Sequence, residues 1–103
     1  MWDGEVTERV GELFALAARV DAEIAAVVGE LDRRRLHERD GARSAASWLD
    51  RCRLSQGEAA QRVRVARRLA DMPVVAAAFA AGEVHQSHVA VLARAWTPEH
   101  ANE

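Results

Sequence analysis

EVTERVGELFALAARVDAEIAAVVGEL, residues 5–31, places Val6, Val10, Leu13, Ala17, Val20, Ile24, Val27 and Leu31 in alternating steps of four and three. Apolar side chains at that spacing recur every 3.5 residues and line one side of an α-helix, as the a and d positions of a heptad repeat. The pattern predicts a long amphipathic helix over about residues 4–35. Asp3 is placed to cap its start. The Arg33–Arg34–Arg35 run falls where cations suit the negative end of the helix dipole. The seam ends at Leu31 because its next two positions are Arg34 and Glu38. Two uses fit such a seam. It is the core stripe of a bundle within one chain, or Val10, Leu13, Val20, Ile24, Val27 and Leu31 form the contact of a self-associating coiled coil.

Working outward, RDGARS (39–44) supplies a Gly41 stop and a Ser44 start, the punctuation that separates helices. SAASWLDRCR (44–53) reads as a short second helix with Trp48, Leu49 and Cys52 inward. Ser55 with Glu58 three residues on is a capping box and opens a third. On its wheel Ala59, Val63, Ala66 and Ala70 share a face widened by Val65 and Leu69, while Arg64, Arg67 and Arg68 lie away from the centre of that face. Arg62 falls among the apolar positions, so it snorkels or pairs with an acid of the first helix. MPVVAAAFAAGEV (72–84) is a fourth helix with Pro73 at its first position and Gly82 past its end. HQSHVAVLARAW (85–96) is a fifth, with Val89, Leu92 and Trp96 toward the core. TPEH (97–100) is another start signal, with Thr97 as cap and Pro98 after it, and only three residues follow. The expectation is that the chain holds the front part of a larger domain.

Composition agrees with helices. Half of the 103 residues are hydrophobic but only 5% are aromatic, and there are 2 prolines. A chain of this size forms one domain, and its many alanines suit closely packed helices rather than a wide sheet core. The fold class expected is all-α: a long N-terminal amphipathic helix packed with about four shorter helices in a bundle, with a single helical domain over 1–103. One cysteine excludes an internal disulfide framework. The acidic start MWDGEVTERV has no apolar signal segment, and no run approaches the length of a membrane span. These features lead to the expectation of a soluble, cytoplasmic protein without a membrane partner.

Net charge is −2, unevenly spread. Residues 1–32 hold 8 acids and 2 arginines, whereas residues 33–70 hold 11 arginines and 4 acids. Every one of the 14 basic residues is arginine, which points to GC-rich coding rather than to selection for phosphate contact. The basic middle is nonetheless the strongest lead to a partner. Arg64, Arg67 and Arg68, with Arg51 and Arg53 and the Arg33–Arg35 run, would meet DNA phosphates if the fold gathers them on one side. A solvated helix face balanced by the acidic first helix predicts the same residues. No aromatic residue is interleaved with them, so a stacking platform for single strands is not supported.

Other chemistry finds little footing. His85 and His88 are three apart, but a metal needs three or four ligands and no third stands near them. His37 and His100, among polar neighbours, read as solvated. Ser44, Ser47, Ser55 and Ser87 all stand at helix starts, where capping accounts for them, and Cys52 reads as a small core hydrophobe. No phosphate loop and no pair of catalytic carboxylates occurs. Neither a cofactor, a metal nor a small-molecule substrate is expected.

The central order of signals resembles the 13E12 repeat family, also called domain of unknown function 222, found chiefly in actinobacteria. The resemblance rests on Asp40–Gly41, Ser44, Trp48–Leu49, Leu54–Ser55, Glu58–Ala59, Ala66–Arg67, Leu69, Pro73, Ala81–Gly82–Glu83 and His88–Val89, and covers about residues 20–96. It implies a helical domain that usually stands N-terminal to an HNH endonuclease module. Nothing here matches the ββα element that carries HNH chemistry, so no catalytic residue is carried over. Residues 54–95 bear a looser likeness to the helix-turn-helix part of partition-type DNA-binding proteins, without the glycine-containing turn into a recognition helix. The reading is a non-catalytic helical module that assists DNA binding or positioning. The alternative is a self-association module with no nucleic-acid role.

Overall fold

The computed structural model describes residues 2–96, so the TPEH start and His100 lie outside the described residues. Among the described residues there is no strand. The order is α1 (Asp3–Arg33), α2 (Leu36–Arg39), α3 (Ala45–Trp48) running into a 3-10 turn (Leu49–Cys52), α4 (Gln56–Leu69), α5 (Pro73–Ala80) and α6 (Gln86–Ala95). This is the expected all-α arrangement of one long helix against shorter ones, with the single turn α2 added between the first two.

The boundaries follow from local chemistry. α1 begins one residue earlier than a cap at Asp3 would have it. Trp2 takes the cap position without a side-chain bond, and Asp3 and Glu5 sit inside the first turn, where carboxylates favour the positive helix end. The helix stops at the arginine run because Arg35 adopts a left-handed backbone, φ 53°. Ser44 and Ser55 cap α3 and α4 by accepting from the backbone N–H of Ser47 (3.0 Å) and Glu58 (3.1 Å). Pro73 opens α5. Gly82 closes it at φ 78°, with Glu83 N–H donating to Ala78 O (2.9 Å) and Gly82 N–H to Phe79 O (3.0 Å). That pair of bonds is a Schellman motif. Gly82 has a second reason to be glycine: a Cβ there would lie 2.9 Å from the Ala15 carbonyl oxygen of α1.

Two adjoining clusters form the core. One gathers Ala25, Val65, Met72, Phe79, Val89, Ala90 and Ala93; the other Val28, Ala45, Leu49, Ala59 and Val63. Phe79, wholly buried, is the largest of these side chains, and its burial contributes about 1.5–3 kcal/mol. Apart from Met72 and Leu49 the rest of the interior is alanine and valine, which lets helix axes approach closely.

Several expected core positions turn out differently. Leu92 is 44% exposed, because α6 packs through Val89, Ala90 and Ala93; Trp96 is only half-buried. Cys52 is exposed. It closes the 3-10 turn just before Arg53 turns left-handed at φ 63°, which leaves the thiol at the rim of the core. His37 is buried rather than solvated, because α2 folds back beside α1 and α3 and carries the imidazole in with it.

α1 outgrows the body it packs on. At 1.5 Å per residue its 31 residues run to roughly 46 Å, close to the 51 Å longest dimension of the molecule. The radius of gyration is 15.3 Å, against about 13 Å for a compact domain of this length. The excess comes from the N-terminal third of α1, which stands clear of the bundle.

Candidate functional site

α1 carries two apolar stripes. The one against the body is Ala15, Ala18, Ala22, Ala25 and Gly29, with Val28 beside it; Ala18, Ala25 and Val28 are buried and the others partly so. Its closeness to the body is visible at both ends. Ala15 meets Gly82, and a Cβ on Gly29 would lie 3.9 Å from the Ala66 Cβ of α4. The other stripe is the heptad seam, roughly 150° around the helix at about 100° per residue. Val6, Val10, Leu13, Val20, Ile24 and Val27 are 38–58% exposed, and only Ala17 and Leu31 are partly covered. Phe14 and Leu16 flank the seam and are also exposed. The seam is therefore not the core stripe of this bundle, which corrects one of the two expectations attached to it. A helix interface made of alanine and glycine cannot admit a ridge of valine, leucine and isoleucine without moving apart. The missed signal was in the sequence: positions 15, 18, 22, 25 and 29 repeat in steps of three and four as regularly as the seam does, but with small residues.

Toward its C-terminal end the seam borders an open groove of about 410 Å³ between Ile24, Val27 and Leu31 on one wall and Trp48, Leu49, Cys52 and Leu54 on the other. Seam and groove form one continuous apolar strip from Val6 to Leu31.

The arginines are less available than their number implies. Arg62 donates to Asp21 of α1 at 2.7 Å and to Glu58 at 3.3 Å, the pairing expected from its place among apolar positions. Arg67 makes a two-pronged contact with Asp32 at 2.8 and 2.9 Å. That hydrogen bond holds the Asp32 carboxyl below its ordinary pKa against the opposing effect of burial, and raises Arg67 in turn. Arg68 lies over the Trp96 ring at 4.8 Å with its Nε buried and unpartnered. Arg51 stacks on Trp48 at 5.2 Å and donates to the Asp40 carbonyl at 3.1 Å. Trp48 itself donates to the Asp40 carboxylate at 2.8 Å, which lowers the pKa of that group. The Arg33–Arg35 run is spent on Glu30 and Glu38. Arg64, Arg67 and Arg68 do line one cleft of about 330 Å³ beside Ser44; Arg51 and Arg53 are not part of it. Among the described residues Arg53 and Arg64 make no ion pair.

The model of one family, a domain of unknown function (DUF222), matches residues 7–98. The chain belongs to this family. The match spans nearly the whole sequence and includes every landmark from Asp40 to Val89. Neither the comparison with curated proteins nor that with solved structures gives a match.

In this DUF222 domain the remaining candidates resolve into structural roles. His85 caps α6: its Nδ1 accepts from the Ser87 N–H at 3.2 Å, and its ring meets Phe14 edge-on at 5.6 Å, tying α1 to the start of α6. Among the described residues no group of three His, Cys, Asp or Glu side chains is placed to hold a metal ion. None of the described helices is long and apolar enough to cross a membrane.

Proposed function

We propose that this domain is a non-catalytic self-association module that joins two chains through the seam of α1. The observation that carries the reading is the exposure of the longest and most regular apolar repeat in the chain. A continuous apolar strip on a soluble domain is an interaction surface or an aggregation hazard. A repeat kept in strict heptad spacing over seven steps is shaped for another helix. Its lower end, walled by Trp48 and Leu54, offers that helix a seat. If the parent chain carries an HNH module, as the 13E12 resemblance implies, such pairing sets two nuclease modules side by side on one DNA. Sedimentation of the full chain tests this: a dimer is expected, and Leu13→Glu converts it to monomer while helical circular dichroism is retained, because Leu13 makes no core contact. A wild-type chain that stays monomeric at high concentration overturns the reading.

A second reading, assistance in DNA binding, draws on the cleft shared by Arg64, Arg67 and Arg68. Arg67 is held by Asp32, so reversing its charge would test the fold as much as the DNA. Arg64, which lines the same cleft and makes no ion pair among the described residues, is the cleaner probe. Arg64→Glu sharply weakens low-salt retention of duplex DNA if the cleft grips phosphates, and leaves it unchanged if it does not.

A further inference from the structure

We infer that the two copies pair antiparallel along α1, with the two-fold axis level with Ala15, so that Arg9 of each chain faces the partner's Glu23. The inference rests on the self-association reading and names its geometry.

The heptad frame fixes what flanks the seam. With Val10, Ala17, Ile24 and Leu31 at a and Val6, Leu13, Val20 and Val27 at d, the g positions are Arg9, Leu16, Glu23 and Glu30. The e positions are Thr7, Phe14, Asp21 and Val28. On the e side the body closes in toward the C-terminal half, where Asp21 holds Arg62 and Val28 is buried in the second core cluster. A parallel pair would bring two bodies to the same level and set g against e: Arg9 against Phe14, Leu16 against Asp21, Glu23 against Val28. None of these is complementary. An antiparallel pair instead lays the bare N-terminal third of each α1 along the body half of the other, as far as the near edge of the groove at Ile24 and Val27.

Among antiparallel registers, the one centred on Ala15 matches size and charge together. Val6 meets the partner's Ile24, Val10 meets the partner's Val20, and Leu13 meets the partner's Ala17, a large residue over a small one at the centre. Leu16 and Phe14, both exposed in the single chain, each meet their own copy across the axis. Arg9 faces the partner's Glu23 twice over. In the single chain Arg9 reaches only Glu12, at an exposed site, and Glu23 makes no ion pair among the described residues. Sliding by one heptad sets Leu16 against the partner's Glu23 and turns Arg9 toward a Glu30 that already binds Arg33 and Arg34. Exposed charge pairs add little affinity, but they select orientation.

Cysteine cross-linking of the full chain in a Cys52→Ser background reads the register, because a disulfide needs Cα atoms within about 7 Å. Mixing a Val10→Cys chain with a Val20→Cys chain is expected to give oxidised heterodimer. Val10→Cys alone stays uncrosslinked, its copies lying roughly 15 Å apart along the axis at 1.5 Å per residue. Cross-linking of Val10→Cys to itself would mean a parallel pair, and cross-linking with Val27→Cys in place of Val20→Cys would mean the shifted register; either overturns the inference while sparing self-association. Glu23→Arg should weaken the dimer about threefold to tenfold, and adding Arg9→Glu should restore it; no restoration also counts against the pairing. A chain that sediments as monomer removes the self-association reading itself.

Discussion

The two stripes of α1 repeat with the same alternation of three and four, yet the alanine and glycine stripe is buried and the valine, leucine and isoleucine stripe is left in water. Area alone would choose the opposite, since each large aliphatic buried contributes about 1.5–3 kcal/mol and an alanine far less. The body decides the matter. α4 and α5 present Ala66 and Ala76 toward α1, and small surfaces fit each other at close helix spacing. The larger stripe would hold the helices apart and open voids beside it. Size complementarity, rather than hydrophobicity, selects the inner face.

Four substitutions probe that contrast. Gly82→Ala has the largest expected effect. It adds a Cβ 2.9 Å from the Ala15 carbonyl oxygen and strains a left-handed residue, so unfolding free energy should fall by about 2–4 kcal/mol, read from denaturant midpoints. Next, Ala25→Leu should cost about 1–3 kcal/mol by overpacking the inner stripe. Val20→Glu on the outer stripe should leave the stability of the single chain within about 0.5 kcal/mol. Equal losses for the two would mean that both faces are packed. Of the expected losses, the smallest is at the polar edge of the inner face. Asp32 is held below its ordinary value of 3.8 by Arg67, so the pair stabilises the fold above that value and fades as pH falls through the lowered one. Asp32→Asn should flatten the acid limb of the midpoint-against-pH curve by less than about 1 kcal/mol, because Arg67 is largely exposed.

Much of the fold was legible because it is written in local chemistry. Ser44, Ser55, Pro73 and Gly82 mark helix ends by mechanisms that act within four residues, and the structure places each as expected. Arg62 was legible too, since a cation among apolar positions must find an acid, and Asp21 is there. Facing was not. Periodicity turns Leu92 inward and leaves the seam open between core and partner, but which stripe turns in depends on the surface it packs on, a property of distant residues: Ala66 of α4 lies about forty positions from the inner stripe of α1. His37 was misread for a similar reason: its burial comes from the left-handed turn at Arg35, a conformation that arginine seldom takes and that nothing beside it announces. Of the candidate site residues, the arginine cluster was legible in position and illegible in engagement. A sequence gives the count of guanidinium groups but not which of them stack on Trp48 and Trp96 or bind Asp32.

The free N-terminal third of α1 has one further consequence. A segment of a dozen residues is barely helical alone in water, because starting a coil of backbone costs more than lengthening one. Here the packed two-thirds supply the start, and residues 3–13 simply prolong it. They are wound before any companion arrives, so an encounter there meets a finished rod and forfeits little backbone entropy.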